Sequence, residues 1–217
     1  MSLRDQAYKE IRHKIVSLEL PPGSTIDEAV LRENLELGRT PIREALLRLS
    51  EEQLVTIIPR RGMFVSDIRI KDLRQLYEVR VVLEPLGVRL AGQRGTPEDW
   101  ARMEQTLNTL PDEGAPDENI RLIEIDECCH TAIYEAAGNA FLSTTLSTLY
   151  ALSLRLWYYF LKEIGTMRGA ILEHRLMLEA LQTGDLDRAA DLMARHITTF
   201  QEEIQAAMLG QGMEKPY

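Results

Sequence analysis

Cysteine is nearly missing from this chain: its 217 residues include two, Cys128 and Cys129, side by side. Adjacent thiols cannot staple distant segments, and neither zinc-finger spacing nor a CxxC redox pair occurs. A disulfide scaffold is therefore excluded, and both are expected as reduced thiols, buried or half-buried. Long apolar runs are missing too. The longest, residues 154–161, carries Arg155 inside it, which excludes a membrane helix of about 18–20 apolar residues. The opening MSLRDQAYKEIRHK has no apolar stretch leading to small residues, so no signal peptide is expected, and the cytoplasm is the expected location. Thirteen glycines and nine prolines are too few for a collagen-like or low-complexity chain. What is plentiful is ordinary globular material, 45% hydrophobic and 27% charged, enough for one large domain or two small ones with a buried core.

Charge is uneven along the chain. Overall there are 25 basic and 34 acidic residues, net -9, but residues 1–70 hold eleven of each, so the whole acidic excess lies beyond them. A net acidic protein is a poor match for nucleic acid, whose phosphates call for a basic surface. A neutral N-terminal segment can still gather its arginines on one face, so local order decides.

That order is informative. Leu3, Ala7, Ile11, Ile15 and Leu18 recur at three- and four-residue spacing, one stripe of a helix that must end before Pro21-Pro22-Gly23. A second short helix follows Ser24-Thr25 and stops near Leu37-Gly38. A third begins at Arg39-Thr40-Pro41, where proline is tolerated in the first turn, and buries Ile42, Ala45, Leu46 and Leu49. Two β-branched runs, 55–58 and 63–65, flank Pro59-Arg60-Arg61-Gly62 and read as a hairpin with a basic tip. Three helices and a hairpin make a winged helix-turn-helix, whose third helix enters the major groove while the wing lies beside the backbone. Arginine suits that groove because its planar fork pairs with guanine or clamps a phosphate. The plainer reading of Arg39 and Arg43 is that of solvated helix charges, with Arg43 paired to Glu44 or Glu36. Residues 38–49, GRTPIREALLRL, with PPGSTIDEAVL before and RRGMFV after, closely resemble the N-terminal domain of GntR-family bacterial transcription regulators. The resemblance covers about residues 5–66. It implies double-stranded DNA as partner and Arg39, Thr40, Arg43, Arg60, Arg61 and Gly62 as the DNA-facing set. Two positions depart from the family pattern: Gly38 stands where serine is common, and Ala29 where an arginine often contacts DNA from the second helix.

Beyond residue 71 helical periodicity dominates, with helices expected near 70–92, 97–110, 116–137, 139–163, 168–182 and 185–208, an antiparallel bundle. The fold class is thus mainly α, a winged helix-turn-helix followed by an all-helical bundle of six or seven helices. The expected division is a DNA-binding domain at 1–66, a linker at 67–71, a helical domain at 72–210 and a tail at 211–217. Three of the four histidines fall on bundle helices. Asp126 and His130, four apart, share a helix face, a common half-site for a divalent ion, and His174 and His196 on later helices are able to complete it. Histidines scattered in this way are more often ordinary surface or core residues. The segment DxxxH at 126–130, the Gly138-Asn139 turn, Glu173-His174 and GDLDRAADLMARH ending at His196 match the helical sensor domain of the FCD subgroup of GntR regulators. That resemblance implies a metal, zinc or nickel, held by Asp126, His130, His174 and His196. It also implies a small carboxylate effector met by Arg80, within LYEVRVVLEP, and a homodimer on a palindromic operator, and Asn139 is a further candidate for the effector. Arg80 equally fits an ion pair with Glu84, and Asn139 a helix-to-helix turn. Two other functions remain for the same residues: a metal-dependent enzyme using the Asp and three His, and a constitutive regulator in which the metal is purely structural.

Overall fold

The computed structural model describes residues 2–69 and 73–210. The expected tail, 211–217, and residues 70–72 lie outside the described residues. Within them the order is α1 Leu3–Val16, α2 Glu28–Leu35, α3 Arg39–Glu51, β1 Val55–Ile58, β2 Gly62–Val65, then α4 Leu73–Arg94, α5 Pro97–Leu107, α6 Glu118–Ala136, α7 Ala140–Tyr159, α8 Arg168–Thr183 and α9 Leu186–Gly210. The fold is mainly helical, a winged helix-turn-helix followed by a helical domain. The described residues form two compact units: 2–69 with 151–159, and 73–150 with 160–210.

In the first unit, Ser2 caps α1 by accepting the Asp5 amide, and the apolar stripe of α1 buries Ala7, Ile11 and Ile15. That stripe packs on α3, whose Ile42, Ala45, Leu46 and Leu49 are fully enclosed, and the isoleucine and the leucines each contribute about 1.5–3 kcal/mol by leaving water. The helix pair is braced at its rim. The Tyr8 hydroxyl donates to Glu52 at 2.8 Å, and the Arg48 guanidinium lies 3.6 Å from the centre of the Tyr8 ring. The second helix starts later than its sequence suggests, because Asp27 takes the capping position and accepts the amides of Ala29 and Val30. Residues 24–26 are left extended and run against β2, with Ile26 donating to the Met63 carbonyl at 2.9 Å and Val65 to that of Ser24 at 2.9 Å. The wing pairs Val55 with Val65 and Ile58 with Gly62. Its turn closes with Arg61 donating to the Ile58 carbonyl at 3.0 Å, with Pro59 first in the bend and Arg60 held at φ 64°.

The second unit is built by pairing helices. α4 lies along α9, α9 along α8, and α6 contacts α4, α5 and α8. A capping box, Thr96 with Asp99, and Pro97 in the first turn start α5. Gly184, at φ 78°, ends α8 in the left-handed conformation that glycine adopts without strain. Helix α7 ends at Tyr159, four residues short of its expected limit, because the Glu163 and Ile164 amides turn back onto the Phe160 carbonyl. No helix among the described residues is long and apolar enough to cross a membrane.

Candidate metal centre and nucleic-acid interface

The four polar side chains singled out in the helical domain come together. Asp126 and His130 project from α6, His174 from α8 and His196 from α9, and each is at most 1% exposed. One potential ligand atom from each lies within 4.8 Å of the other three. The His174 Nε2 is 2.8 Å from Asp126 Oδ1, the His196 Nε2 3.4 Å from the same oxygen, and the His130 Nε2 3.4 Å from that of His196. All three imidazoles thus turn Nε2 inward. Donors about 2.0–2.2 Å from a shared ion stand roughly 3–4 Å apart, so the spacing fits a divalent cation, and one carboxylate with three imidazoles suits a first-row metal.

The far sides of these ligands are held as well. Tyr150 donates its hydroxyl to Asp126 Oδ2 at 2.7 Å. His196 Nδ1 lies 2.8 Å from Glu173 Oε2, and His130 Nδ1 lies 3.3 Å from Glu84 Oε2 and 3.2 Å from the Tyr134 hydroxyl. Burial favours a neutral Asp126, but the surrounding imidazoles outweigh it and hold the carboxyl well below the usual range. Burial pushes His174 down to about 4 despite its bond to Asp126. For His196 burial acts in the same direction, yet hydrogen bonds to Asp126 and Glu173 overcome it and raise the group to about 9. The carboxylates on either side of His196 thus favour its charged form.

Arg80 is buried, 1% exposed, and its Nε and Nη2 both donate to Glu84 Oε1, at 2.9 and 2.7 Å. The ion pair foreseen as the plainer alternative is therefore formed. Its Nη1 nonetheless has no hydrogen-bond partner among the described residues, and the guanidinium sits 5.3 Å from the Tyr150 ring centre, one side chain away from Asp126. Burial opposes a charged Glu84, but Arg80 outweighs it and brings the carboxyl down to about 2. Asn139 accepts the Leu142 amide at 3.2 Å and so starts α7. Cys129 is buried and Cys128 exposed, both as free thiols.

On the winged unit Arg39 and Arg43 are 68% and 51% exposed, and Thr40, Arg60, Arg61 and Gly62 are exposed too. The carboxylate beside the two helix arginines belongs to Glu28 of α2, at 3.8 Å from Arg39 and 3.9 Å from Arg43, where the sequence suggested Glu44 or Glu36. Helix α3 begins on Gly38, which supplies no side-chain cap, so its first amides are not occupied from that side.

Four contributors went unrecognised as such in the sequence. Tyr134 carries a usable signal, four residues after His130, and Glu173 adjoins His174. Glu84 was visible only as a partner for Arg80. Tyr150, on a different helix, has no sequence signal at all.

Residues 3–65 match the family described as bacterial regulatory proteins, gntR family, and residues 75–199 match the FCD domain. Fold and matches together define the class, a DNA-binding transcriptional regulator. The HTH-type transcriptional repressor GlaR of Escherichia coli (strain K12) is 26% identical over 211 residues, covering 94% of this chain and 96% of its own. The Nta operon transcriptional regulator of Aminobacter aminovorans is 29% identical over 195 residues, covering 90% and 91%. The solved structure of E. coli McbR/YncC superposes with a TM-score of 0.80 at 25% identity, covering 98% of this chain and 99% of that one. The chain belongs to the GntR family and carries an FCD domain as its helical part.

Proposed function

We propose that the protein is a cytoplasmic, homodimeric repressor whose hold on a palindromic operator is set by a small carboxylate bound beside a divalent metal, zinc or nickel, in the helical domain. The observation that carries this reading is the convergence of Asp126, His130, His174 and His196 in a fully enclosed cluster, with the unpartnered Nη1 of buried Arg80 close by. The four would hold the ion, which supplies a Lewis-acidic centre with positions left for oxygen donors. Arg80 donates its spare N–H to the effector carboxylate, Tyr150 fixes the orientation of Asp126, and Asn139 offers its amide N–H while its oxygen caps α7. The printed repressor name of GlaR supports the sign of regulation.

On DNA, Arg39 and Arg43 enter the major groove, Arg60 and Arg61 follow the backbone, and the backbone amides at Thr40 and Gly62 meet phosphates. Each half-site is only a few base pairs, so a two-fold pair of chains reads a palindrome. Glu28 would release the two arginines as they turn to the duplex. An effector with higher affinity for the arrangement that mismatches the half-sites weakens operator binding by that difference.

The test is a gel shift on an operator selected from random duplexes, run with metal-loaded and chelated protein against a panel of mono- to tricarboxylic acids. A saturable loss of operator affinity that needs the metal supports the proposal. Operator binding indifferent to every acid, with chelation lowering only thermal stability, makes the metal structural, and turnover of an acid makes the protein an enzyme.

A further inference from the structure

Among the described residues, only His196 of the three imidazoles of the cluster has a carboxylate in direct hydrogen-bonding contact with its outer nitrogen and engaged in no other strong pair. Glu173 Oε2 lies 2.8 Å from His196 Nδ1. Glu84, by contrast, is committed to Arg80 and to the Tyr134 hydroxyl and only approaches His130, and His174 Nδ1 has no hydrogen-bond partner among the described residues. A carboxylate accepts and never donates when ionised, so the contact keeps a proton on Nδ1 and makes Nε2, which faces Asp126 and His130, the nitrogen that gives up its proton to an ion. We infer that Glu173 is a positioning residue for metal loading: it fixes the tautomer and ring orientation of His196 so that Nε2 is presented to the ion. The inference rests on the metal reading above.

The placement on the chain adds to the argument. Glu173 adjoins His174, so α8 supplies one ligand directly and orients a second one held by α9. The Glu173 side chain is 30% exposed, at the rim of a cluster whose other members are enclosed, so its replacement removes no buried carboxylate. The other acid facing it is Glu203 on α9, exposed at the surface, whose carboxyl is raised first by desolvation and then by Glu173.

The probe is cobalt(II), titrated into full-length protein and read both as a dissociation constant by dye competition and as visible d–d absorption. Circular dichroism checks the fold of Glu173→Ala, Glu173→Gln and the control Glu179→Ala, an exposed acid on the same helix. Glu173→Ala is expected to weaken cobalt binding by about 10–100-fold and to alter the absorption bands. Glu173→Gln, whose carboxamide oxygen still accepts from Nδ1, is expected to recover part of the loss, and Glu179→Ala to bind like the wild type. If Glu173→Ala and Glu173→Gln both match the wild type in affinity and spectrum, the inference falls while the metal reading stands. Wild-type protein with no saturable cobalt binding overturns both. Should Glu173→Ala not fold, the Gln variant decides alone: unaltered affinity and bands refute the role.

Discussion

At the scale of single residues, the cluster makes metal and proton competitors for the same atom. His196 is raised to about 9 in the metal-free chain, against an ordinary value of 6.5, by its two carboxylate partners. A group raised on folding stabilises the metal-free fold fully below 6.5 and loses that contribution as pH climbs through 9. Metal binding displaces the Nε2 proton, so apparent metal affinity should rise by about tenfold per pH unit between 7 and 9 and level off above it, measured by dye competition. A flat profile over that range contradicts the shared-proton picture. Replacing two ligands at once, His174→Ala with His196→Ala, should remove bound metal by elemental analysis and make the melting temperature insensitive to chelator. Retention of a full complement of metal would remove both residues from the ligand set. On the winged unit, Arg43→Ala should weaken operator binding by about 1–3 kcal/mol, roughly tenfold or more in a gel shift, without changing the circular dichroism spectrum.

At the scale of elements, close approach matters most where α4 hands over to α5. A methyl group built on Gly95 would lie 2.5 Å from the Trp100 ring and 2.8 Å from the Ala91 carbonyl oxygen, and neither backbone nor a buried indole yields easily. Gly95→Ala should therefore cost about 1–3 kcal/mol, seen as a lower midpoint in urea with an unchanged slope. The helices themselves were legible because their apolar residues recur at helical spacing, as with Ala7, Ile11 and Ile15, and because breakers such as Pro21-Pro22 bound them. Their ends were less so. Asp27 as a cap shortens α2, and the turn onto Phe160 shortens α7, both settled by hydrogen bonds that no periodicity announces. The site divides in the same way. Asp126 and His130 could be paired from spacing on one helix, whereas Tyr150 reaching Asp126 and Glu28 reaching Arg43 join separate helices and depend on how those helices pack. The joining of His174 and His196 to the cluster was one option among ordinary core or surface placements until the family resemblance favoured it.

At the scale of the whole molecule, a chain of net charge -9 binds a polyanion only if its cationic residues are grouped, which the equal counts in residues 1–70 allow. Operator affinity should then fall steeply between about 50 and 200 mM salt, by about 10³–10⁵ if each dimer neutralises six or more phosphates. A flat salt response would be incompatible with a phosphate-contacting wing. The regulatory account depends on the enclosed acid–imidazole cluster holding an ion. Anomalous scattering at the zinc and nickel edges from crystals of metal-loaded protein addresses this most directly. The account predicts a single strong peak about 2 Å from Asp126 Oδ1 and from the Nε2 atoms of His130, His174 and His196. Metal-loaded crystals with no anomalous peak among these four side chains, or with the peak elsewhere on the chain, would contradict it.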